Sequence, residues 1–167
     1  VVSMLVIFRV SDVPEPAAVN VAVVPATTAA ATLRPNVEVP EPYDLLAFYT
    51  IPQLASLIKN QKITSTELTK FFLERLKKYQ PTLQCSISIT DSLALEQAKR
   101  ADEEIKNGKY RGILHGIPYG TKDLMAVPGY PTTWGAAPYK DQIIDETATV
   151  VKKLEDAGAI LVAKLVS

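Results

Sequence analysis

An apolar run without alternation, AILVA at residues 159–163, constrains the fold of this chain more than any other feature. A half-buried strand alternates apolar and polar residues, whereas a strand that is covered on both faces is apolar throughout. The run therefore predicts a strand that is buried on both faces of its sheet.

Two capping-box patterns predict the first two helices. In this pattern a threonine accepts a hydrogen bond from the backbone three residues on, and a Gln or Glu there returns one. The pairs are Thr50 with Gln53 and Thr64 with Glu67. Apolar residues at helical spacing follow each pair. We predict that the second helix stops at Pro81, because proline lacks the N–H that a helix interior needs.

Strand and helix signals then alternate. CSISI, residues 85–89, predicts a strand in which Cys85 is a small buried side chain. An alanine stripe predicts a third helix that ends at Asn107-Gly108, and a fourth helix should start at Asp145 or Thr147. With a strand near residues 117–122, the order indicates an α/β fold whose mixed or parallel sheet is covered by helices. Three strands leave an exposed edge, so we expect the sheet to be incomplete.

Composition and charge narrow the classes of protein further. Residues 1–48 are rich in Pro, Val and Ala, and we predict an extended or disordered leader before a domain at residues 49–167. The apolar start, residues 1–8, is far shorter than the roughly 18 residues of a membrane span, and it lacks the basic flank of a signal peptide. The 18 basic and 18 acidic residues are mixed along the chain, so we expect no nucleic acid partner. Cytoplasmic and exported locations both stay open.

The stretch HGIPYGTKDL, residues 115–124, holds the candidate for chemistry. Lys122 lies there among small and apolar residues, in a predicted core strand. A lysine acts as a base only when it is neutral, and burial favours the neutral form. A lysine that reaches solvent from the strand is the alternative interpretation. His115, the single histidine, is interpreted as a structural hydrogen-bond donor in the turn before the strand.

The same region resembles the amino-terminal part of the amidase signature family. The resemblance covers about residues 49–167, with several motifs in the family's order, and the leader lies outside it. The motifs are His115 to Pro118, Gly120, Lys122-Asp123, Pro131 to Gly135, Ala148 to Val151, Ala157 to Ala159, and Ala163-Lys164.

The resemblance implies an amidase that hydrolyses carboxamide C–N bonds with a Ser–cisSer–Lys triad, in which Lys122 is the base. One serine forms an acyl-enzyme and a second serine, at a cis peptide bond, relays the proton. A small-molecule or peptide-like amide is the implied substrate, and no metal and no cofactor are implied. Both serines belong to a downstream Gly- and Ser-rich segment that this sequence does not contain. We therefore predict a fragment of an amidase domain that is inactive alone.

Two further interpretations stay open. The first is the A-type subunit of a glutamine-dependent tRNA amidotransferase; such members of the family usually carry Asn after the Lys-Asp pair, where Leu124 stands here. The second is a non-catalytic interaction module whose sheet edge pairs with another chain. Asp123 is expected to brace the following loop by hydrogen bonds, and Tyr130 and Trp134 to line a pocket or pack within that loop. The substrate and the oligomeric state are left open.

Overall fold

The structure is a computed structural model that describes residue 33 and residues 36–166. By its internal contacts the chain divides between Ala30 and Ala31, and all described residues belong to the second unit. The elements, in chain order, are a 3-10 helix at Tyr43–Phe48, α1 at Ile51–Lys59, α2 at Ser65–Leu83, β1 at Ser86–Ile89, α3 at Asp91–Lys106, β2 at Pro118–Lys122, a 3-10 turn at Ala137–Tyr139, α4 at Thr149–Asp156 and β3 at Ile160–Leu165. The predicted order of helices and strands is confirmed.

The apolar run forms the central strand of a three-stranded mixed sheet. The strand order is β1-β3-β2, with β3 parallel to β2 and antiparallel to β1. Every residue from Ile160 to Ala163 is buried, as the missing alternation predicts. The fold is therefore α/β, as predicted. Among the described residues, the outer strands β1 and β2 each have one edge that pairs with no other strand.

Helices cover the sheet on the side of Ile160 and Val162. These two side chains share a core cluster with Leu73 of α2 and with the alanine stripe of α3. The stripe lets α3 approach the sheet closely, because each alanine projects only a methyl group. Leu161 points to the opposite face, where it packs with Val127 and with Val151 of α4.

Both capping boxes form as predicted, but two helix boundaries differ. Helix α2 continues past Pro81 to Leu83. Pro81 lies in the last turn, where it removes only one helical hydrogen bond, and the left-handed Gln84 closes the helix by donating its N–H to Gln80 O at 2.8 Å. Helix α4 begins only at Thr149, because the backbone of Ala148, with a ψ of 140°, is not helical. The N–H of Ala148 donates instead to Ala126 O at 3.0 Å.

A bulge in β1 explains why Cys85 is not the buried side chain that the alternation predicts. Ser86 and Ser88 pair with consecutive residues of β3, so Ile87 is the extra residue between them. Ile87 is 40% exposed, and Cys85 precedes the strand half-buried, with Sγ 3.5 Å from Oε1 of Gln80. The bulge breaks the regular period of two on which the prediction depended.

Part of the proline-rich segment packs on the first two helices. Leu46 is fully buried in the same core cluster as Leu57 and Leu68. The ammonium of Lys62 donates to Val37 O at 2.8 Å and forms an ion pair with Glu38. The remainder of the predicted leader lies outside the described residues, so the domain boundary at residue 48 stays a prediction. No helix within the described ranges has the length and apolar character needed to cross a bilayer.

Candidate active site

Lys122 is the last residue of β2, at the edge of the sheet where the two parallel strands end together. Lys122 pairs in register with Leu165 of β3. In α/β proteins, ligands bind beyond the carboxyl ends of parallel strands. We predicted that Lys122 is buried, and this is wrong: in the part of the chain that the structure describes, the lysine is exposed, because β2 is an outer strand of the sheet.

The strand sends Lys122 and its neighbours to opposite sides. Thr121 and Asp123 are buried, whereas Gly120 and Lys122 are exposed. Successive side chains of a strand alternate in this way. The N–H of Asp123 donates to Leu165 O at 2.8 Å, so the ladder continues one residue past Lys122 and fixes its main chain on both sides.

Asp123 braces the following loop, as predicted. Its Oδ2 accepts hydrogen bonds from the N–H of Thr133, at 2.8 Å, and from the Thr133 hydroxyl. The carboxylate and Thr133 are both buried. A charged acceptor with two donors holds the turn at residues 131–135 more firmly than a neutral pair would.

A second lysine, Lys164, completes this arrangement, and sequence reasoning missed it. Its side chain is fully buried, with Nζ 3.1 Å from Oδ1 of Asp123. The ammonium also donates to Oγ1 of Thr132 at 2.7 Å and to the carbonyl of Pro131. The sequence does carry a signal for it, because Lys164 is a charged residue that directly follows the apolar run at residues 159–163. The Ala163-Lys164 motif supported the family resemblance but indicated no role for the lysine.

The two aromatic residues of the loop have different surroundings. Tyr130 packs against the Leu161 cluster, so it is a packing residue. Trp134 is 44% exposed and meets Tyr139 edge to face, with ring centroids 4.9 Å apart. Trp134 has a left-handed φ of 52°, which is uncommon for a side chain of this size.

His115 lies before β2, at the opposite end of the strand from Lys122, and is fully buried. Its Nδ1 accepts the N–H of Arg111 at 3.1 Å, so the proton of the neutral ring lies on Nε2, the nitrogen that can act as the predicted donor. Its Nε2 lies 3.2 Å from Oε2 of Glu104. Arg111 also donates to Glu104 and to the carbonyls of Glu155 and Asp156 at the end of α4. His115 is thus part of a hydrogen-bonded cluster, with Glu104 and Arg111, that joins α3 to α4.

Acid should weaken this hydrogen-bonded cluster, and the direction of the change in stability follows from two pKa values. Burial lowers the pKa of His115, whereas hydrogen bonds from Arg111, helped by Lys109, lower the pKa of Glu104 to about 2. Each depressed value means that the unfolded chain binds more protons than the folded one. We expect the free energy of unfolding to fall as the pH drops below about 6.5, through His115, and again below about 4.5, through Glu104.

Urea titrations of the chain from pH 8 to pH 5 measure the first of these effects. His115→Gln keeps a polar group that can accept from Arg111 but does not titrate, so its stability should be flat over this range. An equal loss of stability in both proteins would contradict the assignment to His115.

Gly158 is expected to tolerate no side chain, for two reasons. Its φ is +82°, and an added Cβ would lie 2.4 Å from Cδ2 of His115. Overpacking and the left-handed backbone together should lower the free energy of unfolding by about 2–4 kcal/mol in Gly158→Ala. Gly108 is the matched control, because its φ is +79° and open space surrounds its Cα. Gly108→Ala should lose only about 1–2 kcal/mol in the same urea titration; equal losses would show that the His115 contact is not limiting.

The Amidase family model matches residues 67–166, which include Lys122, Asp123 and Lys164. Because this match covers more than half of the 167 residues, the chain belongs to the amidase family. The chain corresponds to the amino-terminal portion of that family. Among the described residues, no group of three or more His, Cys, Asp or Glu side chains could hold a metal ion.

Relatives include amidases and amidotransferase subunits. The chain is 40% identical over 115 residues to the A-type subunit of glutamyl-tRNA(Gln) amidotransferase from Thermoanaerobacter pseudethanolicus, covering 69% of this chain and 23% of the relative. It is 35% identical over 122 residues to the putative amidase AmiD of Mycobacterium tuberculosis, covering 73% and 26%.

Solved structures agree on the fold. Peptide amidase from Stenotrophomonas maltophilia matches with a TM-score of 0.67 at 31% identity, over 75% of this chain and 26% of that enzyme. A fatty acid amide hydrolase matches with a TM-score of 0.65 at 26% identity, over 70% and 21%. The chain thus spans about a quarter of the length of the relatives it matches.

Proposed function

We propose that this chain is the amino-terminal part of an amidase that hydrolyses carboxamide C–N bonds, with Lys122 as the general base. The observation that supports this most strongly is the position of the Lys122-Asp123 pair. It lies where two parallel strands end, in a chain of the amidase family. Asp123 is bound to the loop, whereas Lys122 extends from the other side of the strand, where a substrate can approach.

In this mechanism the neutral amine of Lys122 receives a proton that a bridging serine relays from a nucleophilic serine. The nucleophilic serine attacks the amide carbonyl. The ammonia or amine of the substrate takes up the proton and leaves, and water then hydrolyses the acyl-enzyme. Of the triad, this chain carries only the lysine. Segments from the other three quarters of an amidase would supply both serines. The 167 residues alone should therefore be inactive.

The amidotransferase subunit is the second candidate function, and one observation favours it. The chain is 40% identical to an A-type subunit of that enzyme. Leu124, where the resemblance leads us to expect Asn in an amidotransferase, favours the plain amidase. The two candidates differ in substrate, because the amidotransferase reaction would release ammonia from glutamine and a plain amidase would act on other amides.

Sequencing the transcript across the codon for Ser167 tests the proposal first. We expect the reading frame to continue into a Gly- and Ser-rich segment with two serines. The encoded protein should then hydrolyse amides, and a parallel assay with glutamine decides between the two candidate functions. The 167-residue chain is the control and should release no product. A stop codon directly after Ser167 would refute the proposal, since one polypeptide could not then carry the triad.

A further inference from the structure

Lys164 and Asp123 join three separate segments at one edge of the sheet. Lys164 belongs to β3, Asp123 follows β2, and their partners Pro131, Thr132 and Thr133 belong to the loop. We call these five residues the clamp. Both charged side chains are fully buried, and Thr132 and Thr133 are buried as well. Oδ1 of Asp123 has no hydrogen-bond donor among the described residues, so the nearby Lys164 charge is what balances it.

The energetics of such a pair indicate a role other than stability. Removing two charges from water costs more free energy than their attraction commonly returns, and apolar side chains of similar volume often stabilise a protein as well or better. An apolar pair could not, however, bind the carbonyl of Pro131 or the hydroxyls of Thr132 and Thr133. What the charged pair adds is a fixed position for the turn at residues 131–135 relative to the end of β2.

That fixed position bears directly on Lys122. The backbone of Lys122 lies between two anchored points, because Asp123 donates to Leu165 O and the Lys122 carbonyl accepts the N–H of Met125 at 2.9 Å. The side chain of Asp123 is in turn held by Lys164 and Thr133. A shift of the turn would therefore be transmitted to the residue that carries the base.

We propose that Lys164 is a positioning residue of the amidase site, acting through Asp123 and the turn at residues 131–135 to fix the main chain at Lys122. The inference rests on the proposed function for its consequence in catalysis. The clamp itself can be tested without any activity, because the chain's single tryptophan, Trp134, directly follows Thr133.

The test in the chain compares the wild type with Asp123→Asn/Lys164→Met. This double variant removes both charges and keeps an acceptor for Thr133, so it should fold even where a single variant is too unstable. We expect amide exchange at Thr133 to be about ten-fold faster and acrylamide quenching of Trp134 to rise up to about two-fold, because the turn opens locally while the sheet stays folded. Lys77→Met/Asp91→Asn removes an exposed ion pair on other elements and should change neither signal. If the folded double variant shows the same amide exchange at Thr133 and the same quenching of Trp134 as the wild type, the clamp does not hold the turn and the inference is wrong.

The test in the longer, active protein separates this inference from the proposed function. A base held slightly out of place should lose kcat with little change in KM, by about 10²-fold for a displacement near 1 Å. If Lys122→Ala abolishes turnover and the Asp123/Lys164 double variant keeps the wild-type kcat, the positioning role is wrong and the proposed function stands. If Lys122→Ala keeps full turnover, the proposed function is wrong, and the positioning role falls with it.

Discussion

Replacing Lys122 by alanine should lower amide turnover about 10²–10⁴-fold in the protein that contains the complete triad. The nucleophilic serine would then lack the group that removes its proton, while substrate binding would be largely kept. Stability should change by no more than about 0.5 kcal/mol, because the lysine is exposed and no core packing is lost. Steady-state kinetics with a small amide, together with urea unfolding of the same preparations, measure both quantities.

The matched control for this variant is Lys140→Ala. Lys140 is also an exposed lysine, in the segment that follows β2, and its only ion pair among the described residues is a loose 3.9 Å contact with the exposed Asp141. It should leave turnover and stability unchanged. Turnover that survives Lys122→Ala at the level of the Lys140 control would remove Lys122 from the mechanism.

Lys164→Met should lower the free energy of unfolding by about 3–5 kcal/mol, the largest stability effect that we expect in this chain. The substitution fills the space of the lysine stem but leaves the Asp123 carboxylate buried without its counter-charge. Urea or thermal unfolding of the 167-residue chain measures the loss.

Adding Asp123→Asn should restore most of this loss, since the uncompensated charge is then gone. Lys77→Met tests an exposed ion pair for comparison and should cost no more than about 1 kcal/mol. A double variant as unstable as Lys164→Met would mean that lost packing, and not the unpaired charge, sets the cost.

Local patterns predicted most of the fold because the relevant interactions are local. The capping boxes depend on side chains three residues apart, and the burial of β3 on both faces follows from an apolar run without alternation. The bulge at Ile87 was not predictable, because a bulge depends on how two strands far apart in sequence align. The sequence therefore identified the elements better than their edges.

The candidate site was predicted less completely than the fold. Lys122 was found through a motif, and its exposure could not be predicted because the burial of a strand end depends on distant segments. Lys164 was missed because its role depends on three segments that only the folded sheet brings together. A charged residue within an apolar run is the signal that could have identified it.

The central position of β3 has a consequence for the order of folding during synthesis. Neither β1 nor β2 has its sheet partner until Ile160–Leu165 has been made. About seventy residues separate the end of β1 from the start of β3, and a ribosome needs about 4–14 s to add them. Helices α1 and α2 have short-range contacts and can pack in that time, whereas the apolar faces of α3 and β1 wait for β3. Within the part of the chain that the structure describes, these faces are therefore open to chaperone binding or aggregation until β3 emerges.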